Sequence, residues 1–323
     1  MTADARVARS AVAIAAAALV GAALVDAAPQ DRPQTTFRSS AAAVAVEANV
    51  QDRSRRVVAG LKAGDFQVFD NGVLQQVDEI NYGKLPIDVT VALDVSHSVT
   101  GALLDRLRRG VTDLMGDLGA DDRLKLMLFN MRVTRTIDFT RDVRSVERAI
   151  REARAGGGTA LLDAVSVSLI SAADPNRRHL IVFFTDGSDA SSTTTPEVVA
   201  AVAQRTRATL AFVVPAGPAP RTIVTTRPGT AVPVPTMVVP VVGRGGMPPV
   251  PAALAADTGG SVIPVNAGLD LSSVFRRVLG DFRSTYVLYY TPRGVERTGY
   301  HRLEVKVNRE GVQVRARRGY FDQ

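Results

Sequence analysis

The chain of 323 residues is long enough for one large domain or for a core domain with smaller flanking modules. It is 46% hydrophobic and 22% charged, which excludes wholesale disorder. The absence of cysteine excludes disulfides, thiolate nucleophiles, cysteine-built zinc sites and a lipid anchor on a processed cysteine. The formal net charge is +7, but the basic residues form no block interleaved with aromatics, so no nucleic-acid partner is expected; the charge suits an acidic partner or an anionic surface.

From the amino end, residues 1–28 have the pattern of an export signal. Arg6 and Arg9 precede an uncharged apolar run over residues 11–25, and the small residues Ala27 and Ala28 come after it. A run of about 15 residues is a signal core and falls short of the roughly 20 that span a bilayer. The mature protein is therefore expected in the periplasm, at the cell surface or in the medium, with membrane association only if the segment is retained. Residues 29–40 are polar and Pro-containing and read as a linker. Residues 41–85 read as a small β module: Val44, Val46 and Val50 alternate with small or polar residues. Phe66-Gln67-Val68-Phe69 then runs into Asp70-Asn71-Gly72, a hairpin signal whose second arm would be residues 73–80. The module is too small for a core of its own and is expected to pack on the domain C-terminal to it.

Residues 86–282 alternate strands with helices. Residues 87–93 are β-rich; Leu103, Leu104, Leu107, Val111, Leu114 and Leu118 recur at helical spacing. Residues 124–129 and 133–139 read as strands, 142–153 and 160–172 as helices. Residues 180–184 form a continuous apolar run of the kind that fills the centre of a parallel sheet. A helix (196–206) and a strand (209–214) come next. The pattern predicts a doubly wound (Rossmann-like) α/β fold with a mostly parallel sheet and its site at the carboxyl ends of the strands. Residues 215–251 hold 10 of the 17 prolines and read as an extended surface insertion. Regular structure is expected to resume at Leu254, with a strand, a helix over 268–282 and a C-terminal β module over 283–323. In that module Arg315, Arg317 and Arg318 alternate with Val314 and Ala316 as a solvated strand face.

Three short clusters carry chemistry. Asp94-Val95-Ser96-His97-Ser98 leaves the first α/β strand, and its alternate residues Asp94, Ser96 and Ser98 can turn their oxygens into one hollow, a hard ligand set of low charge. Taken alone, the pattern serves equally as an N-cap for the next helix. Gly156-Gly157-Gly158-Thr159 presents a hydroxyl at a helix start, and Thr185-Asp186-Gly187-Ser188-Asp189 places a carboxylate at the end of the apolar strand. Together these loops bring two acids and three hydroxyls to one end of a parallel sheet.

The order Asp-x-Ser-x-Ser, Gly-Thr, Thr-Asp-Gly over about residues 86–282 resembles the von Willebrand factor type A (VWA) domain and its metal-ion-dependent adhesion site. The resemblance implies that Ser96, Ser98 and Thr159 bind a divalent cation directly and that Asp94 and Asp186 act mostly through waters. The cation would be Mg²⁺, with Mn²⁺ or Ca²⁺ as alternatives. It further implies that an acidic side chain of a protein partner completes the coordination. The freedom of the Gly156–Gly158 turn would let Thr159 approach the ion as the partner binds. His97 and Val99 stand where the family has Gly and Met, and His97 reads as a rim residue. The segments Gly60 to Gly72, Thr258-Gly259-Gly260, Tyr286 to Pro292 and Arg317-Arg318-Gly319-Tyr320 resemble a bacterial family of exported VWFA-related proteins.

The three histidines (His97, His179 and His301) have no motif neighbours that would make a catalytic set, and Ser98 lacks a Gly-x-Ser-x-Gly elbow. No catalytic residue is therefore assigned, and the expected function is metal-dependent protein binding or adhesion at the cell envelope. A metal-dependent hydrolase, with Asp94 and Asp186 activating a bound water, is one alternative; a structural module with a vestigial metal site is another. For export, the expected outcome is that protein recovered outside the cytoplasm lacks residues 1–28. Intact-mass measurement checks this, and Met1 found on such material would contradict cleavage.

Overall fold

The computed structural model describes residues 43–97, 99, 102–171, 174, 176–215, 249–266 and 270–322. Signal, linker, Ser98 and most of the Pro-rich segment lie outside them. The chain runs through β1 (Val44–Asp52), β2 (Phe66–Asp70), β3 (Val73–Gln75) and β4 (Glu79–Tyr82) into β5 (Ile87–Asp94), α1 (Ala102–Gly116), β6 (Arg123–Phe129) and β7 (Val133–Thr140). It continues with α2 (Val143–Glu152), α3 (Leu161–Ile170), β8 (Arg178–Phe184), α4 (Pro196–Gln204) and β9 (Thr209–Pro215). After the Pro-rich segment come α5 (Pro249–Thr258), β10 (Ser261–Val265), α6 (Leu271–Arg283), β11 (Tyr286–Tyr290), β12 (Gly299–Val307), β13 (Val312–Ala316) and β14 (Gly319–Asp322).

The central sheet has the order β10-β9-β8-β5-β6-β7 and is parallel except for the β6–β7 hairpin at one edge. All eight residues of β5 are buried, because helices cover both faces of a parallel sheet. Val89, Val91 and Leu93 point to a core built with α1, α2 and α6; Ala92 points to a second core built with α3, α4 and α5. α1 shows how pattern becomes packing: Leu104, Leu107, Val111 and Leu114 fall on one face at helical spacing, and all are buried. Each such side chain contributes about 1.5–3 kcal/mol. Strand order reverses between β5 and β8, because the chain goes from β5 outward to β6 and β7 and then returns to the other side of β5. In a doubly wound fold this switch point opens a crevice at the carboxyl ends of the two strands.

The flanking strands depart from the expected arrangement. The residue 73–80 arm divides: β3 closes the hairpin on β2 through Asn71, whose φ is +48°, whereas β4 leaves to pair with β11. The amino-terminal strands do not simply rest on the α/β unit. β1 pairs with β11 and β13, and β2 pairs with β12, so two four-stranded sheets (β13-β1-β11-β4 and β14-β12-β2-β3) interleave both ends of the described chain around one core. Burial drives this: a lone hairpin has no partner for Val46, Ala48, Val50 and Val68, which here are fully enclosed.

Asp70 is the polar centre of that core. Tyr290 and Tyr320 hydroxyls donate to its Oδ2 at 2.8 and 3.1 Å, and His301 Nδ1 lies 2.8 Å from its Oδ1. Two further expectations are corrected. Arg317 is buried rather than solvated, with Nε donating to Gly319 O and Nη2 to Ala203 O, because β14, a strand too short to show in the sequence, folds back beside it. Helical structure also resumes at Pro249 rather than Leu254, since proline is well suited to a first helical turn.

The double-sheet unit abuts the amino ends of the parallel strands. Glu47 of β1 accepts from Arg178 Nε at 2.8 Å and Thr209 Oγ1 at 2.9 Å, at the first residues of β8 and β9. At the same end His179 is enclosed, with Nε2 2.8 Å from Thr90 Oγ1. Burial pushes its pKa down from an ordinary 6.5 to about 4; the Asp88 charge opposes this shift and Lys125 adds to it. A base depressed in the folded state takes up its proton only on unfolding, so its contribution is complete above about pH 6.5 and is lost as pH falls toward 4. Roughly 2 kcal/mol should disappear between about pH 6.5 and 5. Urea unfolding at both ends of that window checks it. His179→Gln should flatten the slope, and an unchanged slope would contradict the assignment.

Candidate metal centre

Asp88 and Asp94 lie on the same face of β5, six residues apart, and both are fully buried. Asp88 at the amino end is neutralised by Arg123 at 2.6 Å and Arg177 at 2.6 Å. Asp94 at the carboxyl end has no cationic side chain paired with it among the described residues. Its Oδ1 accepts from Ser96 N at 2.8 Å and its Oδ2 from Thr185 Oγ1 at 2.9 Å. Burial pushes the Asp94 carboxyl up from the usual carboxylate range. Hydrogen bonds from Ser96 and Thr185 pull the other way, and the nearby Asp186 charge adds to the rise. A buried carboxylate of this kind is costly unless a positive charge meets it.

Three loops meet here, and hydrogen bonds show how. After β5, His97 N donates to Gly157 O at 3.0 Å and Gly156 N donates to Val95 O at 2.9 Å, so the Asp94–His97 segment and the glycine turn are laced together. On the other side, Ala190 N and Ser191 N donate to Thr159 O at 2.9 and 3.0 Å, which joins the glycine turn to the loop after β8. Thr159 itself is buried. Asp186 stands one residue past Thr185 and accepts from Ser188 N at 2.9 Å. The loops that carry Asp94, Ser96, Thr159 and Asp186 thus meet beside the switch point. Ser98 lies outside the described residues.

The glycine turn is less free than its composition suggests. Asn130, at the end of β6, donates from Nδ2 to Gly156 O at 2.9 Å, and its backbone O accepts from Ala160 N at 2.7 Å. Asp189 accepts from Leu162 N at 3.2 Å, in the first turn of α3, and Asp163 accepts from Thr193 and Thr194 N. Hydrogen bonds to the Thr194 and Thr193 loop outweigh partial burial and hold the Asp163 carboxyl below its usual range. The turn is therefore hydrogen-bonded on both sides, to Asn130 and to the loop after β8.

Sequence alone does not pick out Thr185, Asn130 and Asp163 as site residues. Asp189 sits in the Thr-Asp-Gly-Ser-Asp run and is visible there. Thr185 shares a sheet face with Asp94, which only the β5–β8 register reveals. The histidines lie apart: His179 is bonded to Thr90, His301 to Asp70, and only His97 is on the rim. Among the described residues no three His, Cys, Asp or Glu side chains group as a metal site. The oxygen set here draws on hydroxyls instead, which suits a hard divalent cation, and a cation would relieve the charge that Asp94 and Asp186 impose on each other.

Similarity to known proteins centres on the parallel-sheet part of the chain. Residues 89–188 match the family model of the von Willebrand factor type A domain. The chain is 28% identical over 140 residues to inter-alpha-trypsin inhibitor heavy chain H2 of Homo sapiens, a match that covers 39% of this chain and 15% of that protein. It is 29% identical over 110 residues to an uncharacterised protein of Synechocystis, covering 33% of this chain and 26% of that one. The chain therefore spans only a small part of these relatives. Among solved structures it is similar to a von Willebrand factor type A protein from Catenulispora acidiphila, at 11% identity and a TM-score of 0.48, over 86% of this chain and 73% of that one.

Proposed function

We propose that the chain, whose residues 89–188 match the model of the von Willebrand factor type A domain, is a metal-dependent protein-binding module of the bacterial envelope rather than an enzyme. The observation that carries this reading is the contrast along β5: one buried carboxylate is matched by two arginines, and the other, at the switch point, by hydroxyl and amide donors. A divalent cation, Mg²⁺ in the first instance and Mn²⁺ or Ca²⁺ otherwise, supplies the missing charge. Ser96, Ser98 and Thr159 bind it directly, and Asp94 and Asp186 hold its waters. A protein shell of so few charges leaves the cation electrophilic, and an acidic side chain of a partner fills its open position.

The fold supports this use. The double-sheet unit lies at the amino ends of the strands, so the crevice at their carboxyl ends faces away from it. Hydrogen bonds from the glycine turn to Asn130 and to the loop after β8 support a role for Thr159 at the site, since a loop already held costs less to order on binding.

Calorimetry at millimolar metal tests the site. Mg²⁺ or Mn²⁺ affinity should fall by at least about 10–100-fold in Asp94→Ala, the scale seen when groups behind a metal's waters are removed. Equal affinity in both proteins would sink the assignment. For an isolated partner, chelator should release it, and Thr159→Ala should weaken partner binding with no turnover product formed. Binding indifferent to both would exclude adhesion through the metal.

A further inference from the structure

The rim beside Thr159 is asymmetric. On the side of the loop after β8 it is acidic, with Asp186 and the exposed Asp189. On the other side stands the β6–β7 turn, Asn130-Met131-Arg132. Asn130 is fixed by its bonds to Gly156 and Ala160, and its own N–H donates to Arg132 O at 3.0 Å, so the turn is rigidly mounted on the glycine turn. Met131 is 57% exposed although it is a large apolar residue. Its side chain lies flat on the glycines: a Cβ at position 157 would sit 3.2 Å from Met131 Cγ and 3.5 Å from its Sδ, and one at 158 would sit 3.7 Å from Cγ. The glycines are thus the shelf on which the thioether rests, next to Thr159.

Two arginines lie close to this shelf in the chain. Arg132 is the next residue after Met131, and Arg154 stands two residues before Gly156; both are exposed, and neither guanidinium has a hydrogen-bond or ion-pair partner among the described residues. An adaptable apolar side chain resting on the glycine turn, with two unpaired cations nearby in the chain and the proposed ion site at Thr159, fits one kind of surface.

We infer that the Asn130–Arg132 turn is a specificity ledge, selecting an acidic partner segment that carries an apolar side chain next to the carboxylate that meets the ion. The inference rests on the metal-dependent binding proposed above. The partner's apolar group packs on Met131, and further acidic residues face Arg132 and Arg154.

A random peptide library displayed on phage and panned in millimolar Mg²⁺ against wild type, Met131→Ser and Asp94→Ala tests it. Mn²⁺ affinity equal to wild type shows that Met131→Ser is folded and keeps the site. Wild type should enrich peptides with Asp or Glu beside Leu, Met or Phe. Met131→Ser should keep the acidic preference, lose the apolar one and bind the wild-type peptides about tenfold more weakly. Asp94→Ala should enrich neither. If wild type and Met131→Ser enrich the same sequences while Asp94→Ala does not, the ledge is wrong and the metal reading stands. If Asp94→Ala enriches the wild-type peptides, the metal reading fails and the ledge with it. No enrichment by wild type above Asp94→Ala counts against both.

Discussion

The hydrogen bond from Thr185 Oγ1 to Asp94 Oδ2, 2.9 Å long and buried, joins the two strands between which the sheet reverses its order. Register puts both residues on the α3 face of the sheet, and helices on both faces take that face out of water. Once β5 and β8 are paired in this register, the rest of the crevice has little freedom. Val95 N continues onto Phe129 O, His97 N onto Gly157 O, and the glycine turn onto the loop after β8. A carboxylate enclosed in this way is costly in isolation, and the same strand shows the alternative remedy six residues earlier, where Asp88 is surrounded by guanidinium groups. The two ends of β5 thus differ in what meets their buried carboxylates: guanidinium groups at Asp88, hydroxyl and amide donors at Asp94.

The remainder of the molecule keeps those ends distinct. Arg178 stacks on Phe282 and pairs with Glu47, and Asn49 donates to Asp281 O, so α6 and the amino edge of the parallel sheet are fastened to β1. Interleaving both ends of the described chain in two sheets makes this attachment part of one core rather than a linker contact. The Asp70 cluster locks the two sheets to each other, because its donors come from β11, β12 and β14 while the acceptor is on β2. A close backbone approach serves the attachment to the parallel sheet: a Cβ at Gly259 would fall 2.7 Å from Arg317 N, which explains glycine after Thr258.

The α/β half is readable because its signals are local. Apolar runs at 87–93 and 180–184, helical spacing from Leu104 to Leu114, and loops rich in Asp, Ser and Gly each declare themselves within a few residues. The flanking half depends on pairings between residues more than two hundred apart, such as Val46 with Leu288 and Val68 with Val305. No periodicity reports such partners, which is why the sequence reads the arm after Asn71-Gly72 as one strand and Arg317 as solvated. At the site, residue identity announces Asp94, Ser96, Thr159 and Asp186. The residues that hold them, Thr185, Asn130, Asp163 and Asp189, act through register and loop packing, and these emerge only when the chain is folded. The tyrosines and aspartate of the flanking motifs are visible as letters, whereas their meeting at Asp70 is not.

The central claim is that the charge at the carboxyl end of β5 is completed by a divalent cation. Anomalous diffraction from crystals of the mature protein grown with Mn²⁺ measures this most directly. One strong peak is expected beside Asp94, Ser96, Thr159 and Asp186, absent from Asp94→Ala crystals grown in the same way. A crevice without a peak at millimolar Mn²⁺, or a peak that persists unchanged in Asp94→Ala, would contradict it.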